Sequence, residues 1–247
     1  MMLNILIPMA GLGSRFSNAG YSTPKPLIKL NGKHMIEGVI KNLRPFNMDY
    51  KFIFICQDAH LKEYNFEEKI LSIEPNSEII SIDYVTEGAA CTALVAEKFI
   101  NNNDRLMIAN SDQWVDINID KYLSYENHNK LDGLIMTMTA NEDKWSYVSL
   151  GQDKLVDLVV EKEVISNEAT VGIYNFKKGS DFCFYANKMI EIFKGKDNDF
   201  SKAVCLNAAA GLIVSEKFTE FSDAYNFSRK SILSGKTYTH LEKIKNV

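Results

Sequence analysis

Leu3-Asn4-Ile5-Leu6-Ile7-Pro8-Met9-Ala10-Gly11-Leu12-Gly13-Ser14-Arg15-Phe16, followed by Thr23-Pro24-Lys25-Pro26-Leu27, is the stretch on which the reading of this chain turns. The apolar run at residues 3–7 predicts a buried first strand. Glycines directly after it let backbone N–H groups close around an anion, because no side chain holds the ligand away. Arg15 adds a two-pronged cation for phosphate oxygens. Lys25, between two prolines, brings a second cation to the α-phosphate. A dinucleotide-binding turn would carry a third glycine at the start of a helix. Here Arg15 intervenes and Pro24-Lys25-Pro26 follows, so Ala10, Gly11 and Gly13 read as a triphosphate loop.

Outward from this opening, apolar runs at 52–56, 79–85 and 106–109 predict further strands. Between them lie helical stripes: Met35, Ile36, Val39, Ile40 and Leu43, then residues 61–71 and 90–100. Strands alternating with helices imply βαβ units in a mostly parallel sheet, with ligands beyond the carboxyl ends of the strands. From about residue 133 the runs 133–139, 147–150, 155–161 and 170–176 lack intervening helices and predict an antiparallel extension. Beyond Gly179 the pattern is helical, at 181–194, 203–215, 220–233 and 238–244. The expected fold is α/β, a Rossmann-like doubly wound mixed sheet over residues 1–182 with a helical C-terminal segment over 183–247.

The chain has 247 residues and a net charge of −4, so no general basic field draws it to nucleic acid or to an anionic membrane. No apolar stretch reaches the ~20 residues of a membrane span, and the N-terminus lacks a signal-peptide pattern. Cys56, Cys91, Cys183 and Cys205 sit in apolar contexts without a CxxC pair. Reduced, buried thiols in a cytoplasmic protein are expected.

Three more segments carry chemistry. Small residues in Glu87-Gly88-Ala89-Ala90 would let a flat base lie against backbone at a helix start. Asp112, in Asn110-Ser111-Asp112-Gln113 after a strand, is placed for Mg²⁺, a hard ion that bridges phosphates. Glu161-Lys162 ends another strand. Gln57 and His60 follow the second long strand and are within reach of a base edge.

Ala-Gly-x-Gly-x-Arg with Pro-Lys-Pro-Leu resembles the signature of NTP:sugar-phosphate nucleotidyltransferases, over about residues 1–180. The likeness is to small single-domain members from capsule and surface-polysaccharide loci, including the CTP:phosphoglutamine cytidylyltransferases. It implies that Gly11, Gly13, Arg15 and Lys25 bind and activate the NTP, and that Glu87, Gly88, Ala89 and Ser111 contact the nucleotide. By the same resemblance Asp112 holds Mg²⁺, Glu161, Lys162 and Gly172 receive a phosphorylated acceptor, and CTP or UTP is the donor. Lys144 and Trp145 precede an acceptor-side strand and are expected at the acceptor pocket. Asn198-Asp199-Phe200 aligns with a family motif that would make Asp199 a second metal carboxylate.

From about residue 187 the chain instead resembles the C-terminal helices of anthranilate phosphoribosyltransferase, notably in Leu206-Asn207-Ala208-Ala209-Ala210. That enzyme's glycine-rich loop is absent, so helices and no activity are implied. The apolar tail residues Leu206, Leu212, Ile213, Phe218, Phe221, Tyr225, Ile232, Leu233 and Leu241 are expected to bury, against the sheet or in a homodimer. Two rival classes are a nucleotide binder without transferase activity and a glycosyltransferase. The latter expects Asp-x-Asp, whereas Ser111-Asp112-Gln113 carries a single carboxylate.

Overall fold

β1 (Leu3–Met9) sits between β4 (Tyr50–Gln57) and β6 (Arg105–Ala109), parallel to both. Leu3, Ile5, Leu6 and Ile7 are fully buried, as a strand covered on both faces requires. The computed structural model describes residues 1–247 except 12, 14, 15, 17–19, 22, 87 and 245–247, and gives backbone alone for 126–129 and 241–244.

The other described strands are β2 (Lys29–Leu30), β3 (Lys33–His34), β5 (Glu78–Ile82), β7 (Gly133–Thr139), β8 (Ser146–Leu150), β9 (Val156–Glu161) and β10 (Glu168–Phe176). The main sheet runs β5-β4-β1-β6-β10-β8-β9, and β7 also pairs with β10. β5, β4, β1 and β6 are parallel, while β7, β8 and β9 join through antiparallel ladders around β10. This is the mixed α/β sheet expected from the sequence.

One core face is built from Leu3, Ile5 and Ile7 on β1, Phe52 and Phe54 on β4, and Met107 on β6. The Phe52 and Phe54 rings stack at 5.7 Å. Each such side chain contributes about 1.5–3 kcal/mol through burial. The helix Met35–Leu43 lays Ile36, Val39, Ile40 and Leu43 on this face, the i, i+3, i+4, i+7 stripe of an amphipathic helix. His34 opens that helix in a capping box with Glu37, its backbone N–H donating to Glu37 Oε1 at 3.0 Å.

Differences from the sequence reading have local causes. The helix expected at 61–71 is two, Asp58–Tyr64 and Phe66–Ile73, broken at Asn65 with φ 49°. Asparagine tolerates that left-handed conformation. The stretch 90–100 likewise divides into Ala89–Leu94 and Glu97–Ile100. A helix at Ile119–Asn129 was not foreseen. It has few apolar residues, but buries Ile119, Tyr122 and Leu123 at helical spacing.

The chain forms two compact units, Met1–Tyr84 with Val95–Asp181, and Val85–Leu94 with Phe182–Val247. The second unit is helical, containing most of Gly179–Phe193 together with Asp199–Val214, Phe221–Leu233 and Lys236–Ile244. Its small core is Ile192, Cys205 and Ile232, with Tyr225 packed against them. Within the single chain, burial of the tail's apolar residues is incomplete. Leu206, Phe221 and Leu233 stay exposed, because apolar residues spread around these helices and one packed face cannot cover them. The Leu241 side chain lies outside the described residues. All four cysteines are unbridged; Cys56, Cys183 and Cys205 are buried, whereas Cys91 is half-buried. Burial pushes the Cys56 thiol up to about 12, which leaves it chemically inert.

Candidate active site

Lys25 is placed by its own local chain. Pro24 precedes a 3₁₀ turn at Lys25–Leu27, in which Pro26 and Leu27 are buried and the Leu27 N–H donates to the Pro24 carbonyl at 2.8 Å. His34 Nδ1–H donates to the Leu27 carbonyl at 2.7 Å and holds the turn from the far side. A flexible lysine stem is thus rooted in a rigid base, and its ammonium lies 5.1 Å from the Phe16 ring centroid.

Asp112 sits in the turn leaving β6 and forms an ion pair with Lys25, each side chain about a quarter exposed at 24–25%. Both flanks of this turn are fastened. Asn110 N–H donates to the Gly172 carbonyl at 3.1 Å on one side. On the other, Val115 and Asn42 exchange two hydrogen bonds of 2.8 and 2.9 Å.

A cavity of about 940 Å³ opens where β1 and β6 end. Gly11, Gly13, Lys25, Ser111 and Asp112 line it, together with Lys144, Trp145, Glu161 and Gly172 from the other side of the first unit. Residues expected to hold the nucleotide phosphates and residues expected to receive the acceptor therefore line one cavity. Lys144 Nζ lies 5.1 Å from the Trp145 ring centroid and pairs with Glu142.

Other expected residues are placed differently. Arg15 and Glu87 lie outside the described residues. Ala10 is buried behind the loop, its carbonyl accepting from Gln57. Lys162 is not among the cavity residues; its ammonium pairs with Glu161 at 3.1 Å on the exposed surface. Gly88, with φ 158°, and Ala89 belong to the second unit. So does Asp199, which opens the helix Asp199–Val214 and pairs with Lys202 at 2.9 Å.

The cavity also contains His60, together with Glu63 and Tyr64, which the sequence did not single out. His60, Glu63 and Tyr64 project from one helix, Asp58–Tyr64, at the i, i+3, i+4 spacing that could have flagged them. Burial lowers the His60 pKa, with Glu63 opposing, so the imidazole enters neutral pH uncharged.

Asn110 also lines the cavity. Gly172 adopts φ +77°, and a Cβ there would lie 2.0 Å from Asn110 Nδ2. Glycine is required both by the backbone and by the amide seated over it. Gly172→Ala is expected to cost about 1–2 kcal/mol in chemical denaturation, from left-handed strain. The Asn110 amide must also swing within the cavity. Adding Asn110→Ala should relieve the clash and leave the backbone cost.

Residues 5–218 match the family described as Nucleotidyl transferase. The chain belongs to the nucleotidyl transferase family. The bifunctional protein GlmU of Methanococcus maripaludis (strain C5) is 27% identical over 183 residues, 71% of this chain and 40% of that protein. Anthranilate phosphoribosyltransferase of Pelagibacter ubique (strain HTCC1062) is 53% identical over 106 residues, 42% of this chain and 31% of that one. The chain spans about a third to two-fifths of the length of these curated relatives. Among solved structures, the nucleoside-diphosphate-sugar pyrophosphorylase from Vibrio cholerae RC9 superposes with a TM-score of 0.59 at 22% identity, covering 75% of this chain and 78% of that one. It shares the nucleotidyl transferase fold. No described helix is long and apolar enough to cross a membrane.

Proposed function

We propose that this nucleotidyl transferase joins the nucleoside monophosphate of CTP or UTP to a phosphorylated small molecule or sugar 1-phosphate and releases pyrophosphate. The setting proposed is the cytoplasmic synthesis of capsule or surface polysaccharide precursors. The observation that carries the reading is the Lys25–Asp112 ion pair, in a cavity lined also by Gly11 and Gly13 at the carboxyl ends of parallel strands. The V. cholerae neighbour, a nucleoside-diphosphate-sugar pyrophosphorylase, is a precedent for this chemistry on this fold.

In this reading the acceptor's phosphate oxygen attacks the α-phosphorus in line. A phosphomonoester is already ionised near neutral pH, so no general base is needed. Gly11, Gly13 and Ser111 seat the triphosphate, and Lys25 and Arg15 neutralise charge as it builds in the transition state. Lys144, Trp145, Glu161 and Gly172 orient the acceptor, and Lys162 stays outside the cavity.

Among the described residues no three His, Cys, Asp or Glu side chains cluster to hold a metal. Asp112 nonetheless suits Mg²⁺, which takes one or two carboxylates and completes its shell with water and substrate phosphates. When bound there, the ion would supply charge neutralisation on the phosphates.

The test is incubation with each NTP, Mg²⁺ and a panel of phosphorylated acceptors, followed by pyrophosphate release. Turnover confined to CTP or UTP supports the reading. Binding of ATP or GTP with no pyrimidine turnover overturns the choice of base, and nucleotide binding without any pyrophosphate favours the non-catalytic rival.

A further inference from the structure

The geometry points to Gln57 as a positioning residue that locks two exits of the sheet together behind the nucleotide site. Gln57 ends β4 and is 8% exposed. The backbone ladder between β1 and β4 stops at Met9 and Cys56, and that between β4 and β5 stops at Gln57 and Ile82. Beyond those points the side chain takes over the pairing. Its Nε2 donates to the Ala10 carbonyl at 2.6 Å and to the Tyr84 carbonyl at 3.1 Å.

An amide nitrogen has two hydrogens, and both are used. Gln57 therefore cannot offer a donor to a base edge, as its place in the sequence had suggested. What it does is fix the start of the glycine loop against the end of β5, where the chain runs on toward Gly88. Ala10 is 4% exposed, so its carbonyl has little access to water as an alternative partner. Losing the amide leaves both carbonyls underpaired and lets the two exits drift apart, which degrades the triphosphate seat without touching the acceptor side.

The kinetic arm rests on the proposed NTP reaction; a second arm is independent of it. In the full chain, Gln57→Met is expected to raise KM for CTP or UTP by about 10-fold or more, with KM for the acceptor within about 2-fold of wild type. Gln57→Glu retains a donor only when protonated, so its nucleotide KM should improve as pH falls from about 8 to 6 relative to wild type. A folded Gln57→Met with wild-type nucleotide KM, or with both KM values raised alike, overturns the assignment. If Gln57→Met does not fold, a pH-independent Gln57→Glu does the same. If the wild type turns over no NTP, the parent reading fails separately. Amide exchange at the ladder ends, around Met9 and Cys56 and around Gln57 and Ile82, in Gln57→Met still decides the lock. Exchange about 10-fold faster at both exits supports it, and unchanged exchange removes it.

Discussion

Lys25→Ala is expected to lower pyrophosphate release by about 10²-fold or more, the usual loss when a preorganised charge stabiliser is removed from a transition state. The fold should survive. Lys25 contributes its ammonium to the cavity while Pro26 and Leu27 supply the buried anchors of the turn, and those remain. The ion pair with Asp112 is about a quarter exposed, so its loss costs on the order of 1 kcal/mol or less. Lys25→Arg separates charge from shape. A guanidinium keeps the charge but presents a planar fork, and activity between wild type and alanine is expected. Wild-type turnover in Lys25→Ala would remove the centre of the mechanism.

Asp112→Asn should produce a loss of similar size, about 10²-fold, by a different route. The amide is nearly isosteric and the turn is fastened from Asn110 and Val115, so geometry is retained while the negative charge disappears. Lys25 is then left unpaired beside the phosphate seat and should hold the triphosphate at least as well. Nucleotide binding without metal is therefore expected to persist or tighten, while the Mg²⁺ concentration giving half-maximal turnover rises several-fold. Unchanged Mg²⁺ dependence would show that Asp112 serves only as the partner of Lys25.

The sheet was legible in the sequence because β1, β4 and β6 are near-continuous apolar runs and the β7–β10 region lacks intervening helices. Apolar periodicity carries that information residue by residue. It does not register a single left-handed residue, so the break at Asn65 was invisible, and it cannot find a polar helix such as Ile119–Asn129. Within the cavity, Gly11, Lys25 and Asp112 stood out because each follows a strand or a proline and carries its own local signal. Gln57 follows an apolar run too, but the sequence points it at a base edge and hides its bracing part. Its partners lie 47 and 27 residues away in sequence, and only the folded sheet brings those carbonyls to one amide. Asn110 is similar: its part appears only when Gly172 is beneath it.

The division of the chain into interleaved units has a consequence for synthesis on the ribosome. Residues 85–94 emerge early, yet they cluster with a body whose remaining chain begins only at Phe182. At roughly 5–20 residues per second, that segment waits on the order of 5–20 s before its partners exist. The first unit has no such delay between its own pieces beyond the ten-residue detour. Folding during translation should thus be vectorial for the sheet and post-release for the helical body. Arrested nascent chains carrying residues 1–181 on a linker long enough to clear the exit tunnel should already protect β1, β4 and β6 from protease while residues 85–94 remain cleavable.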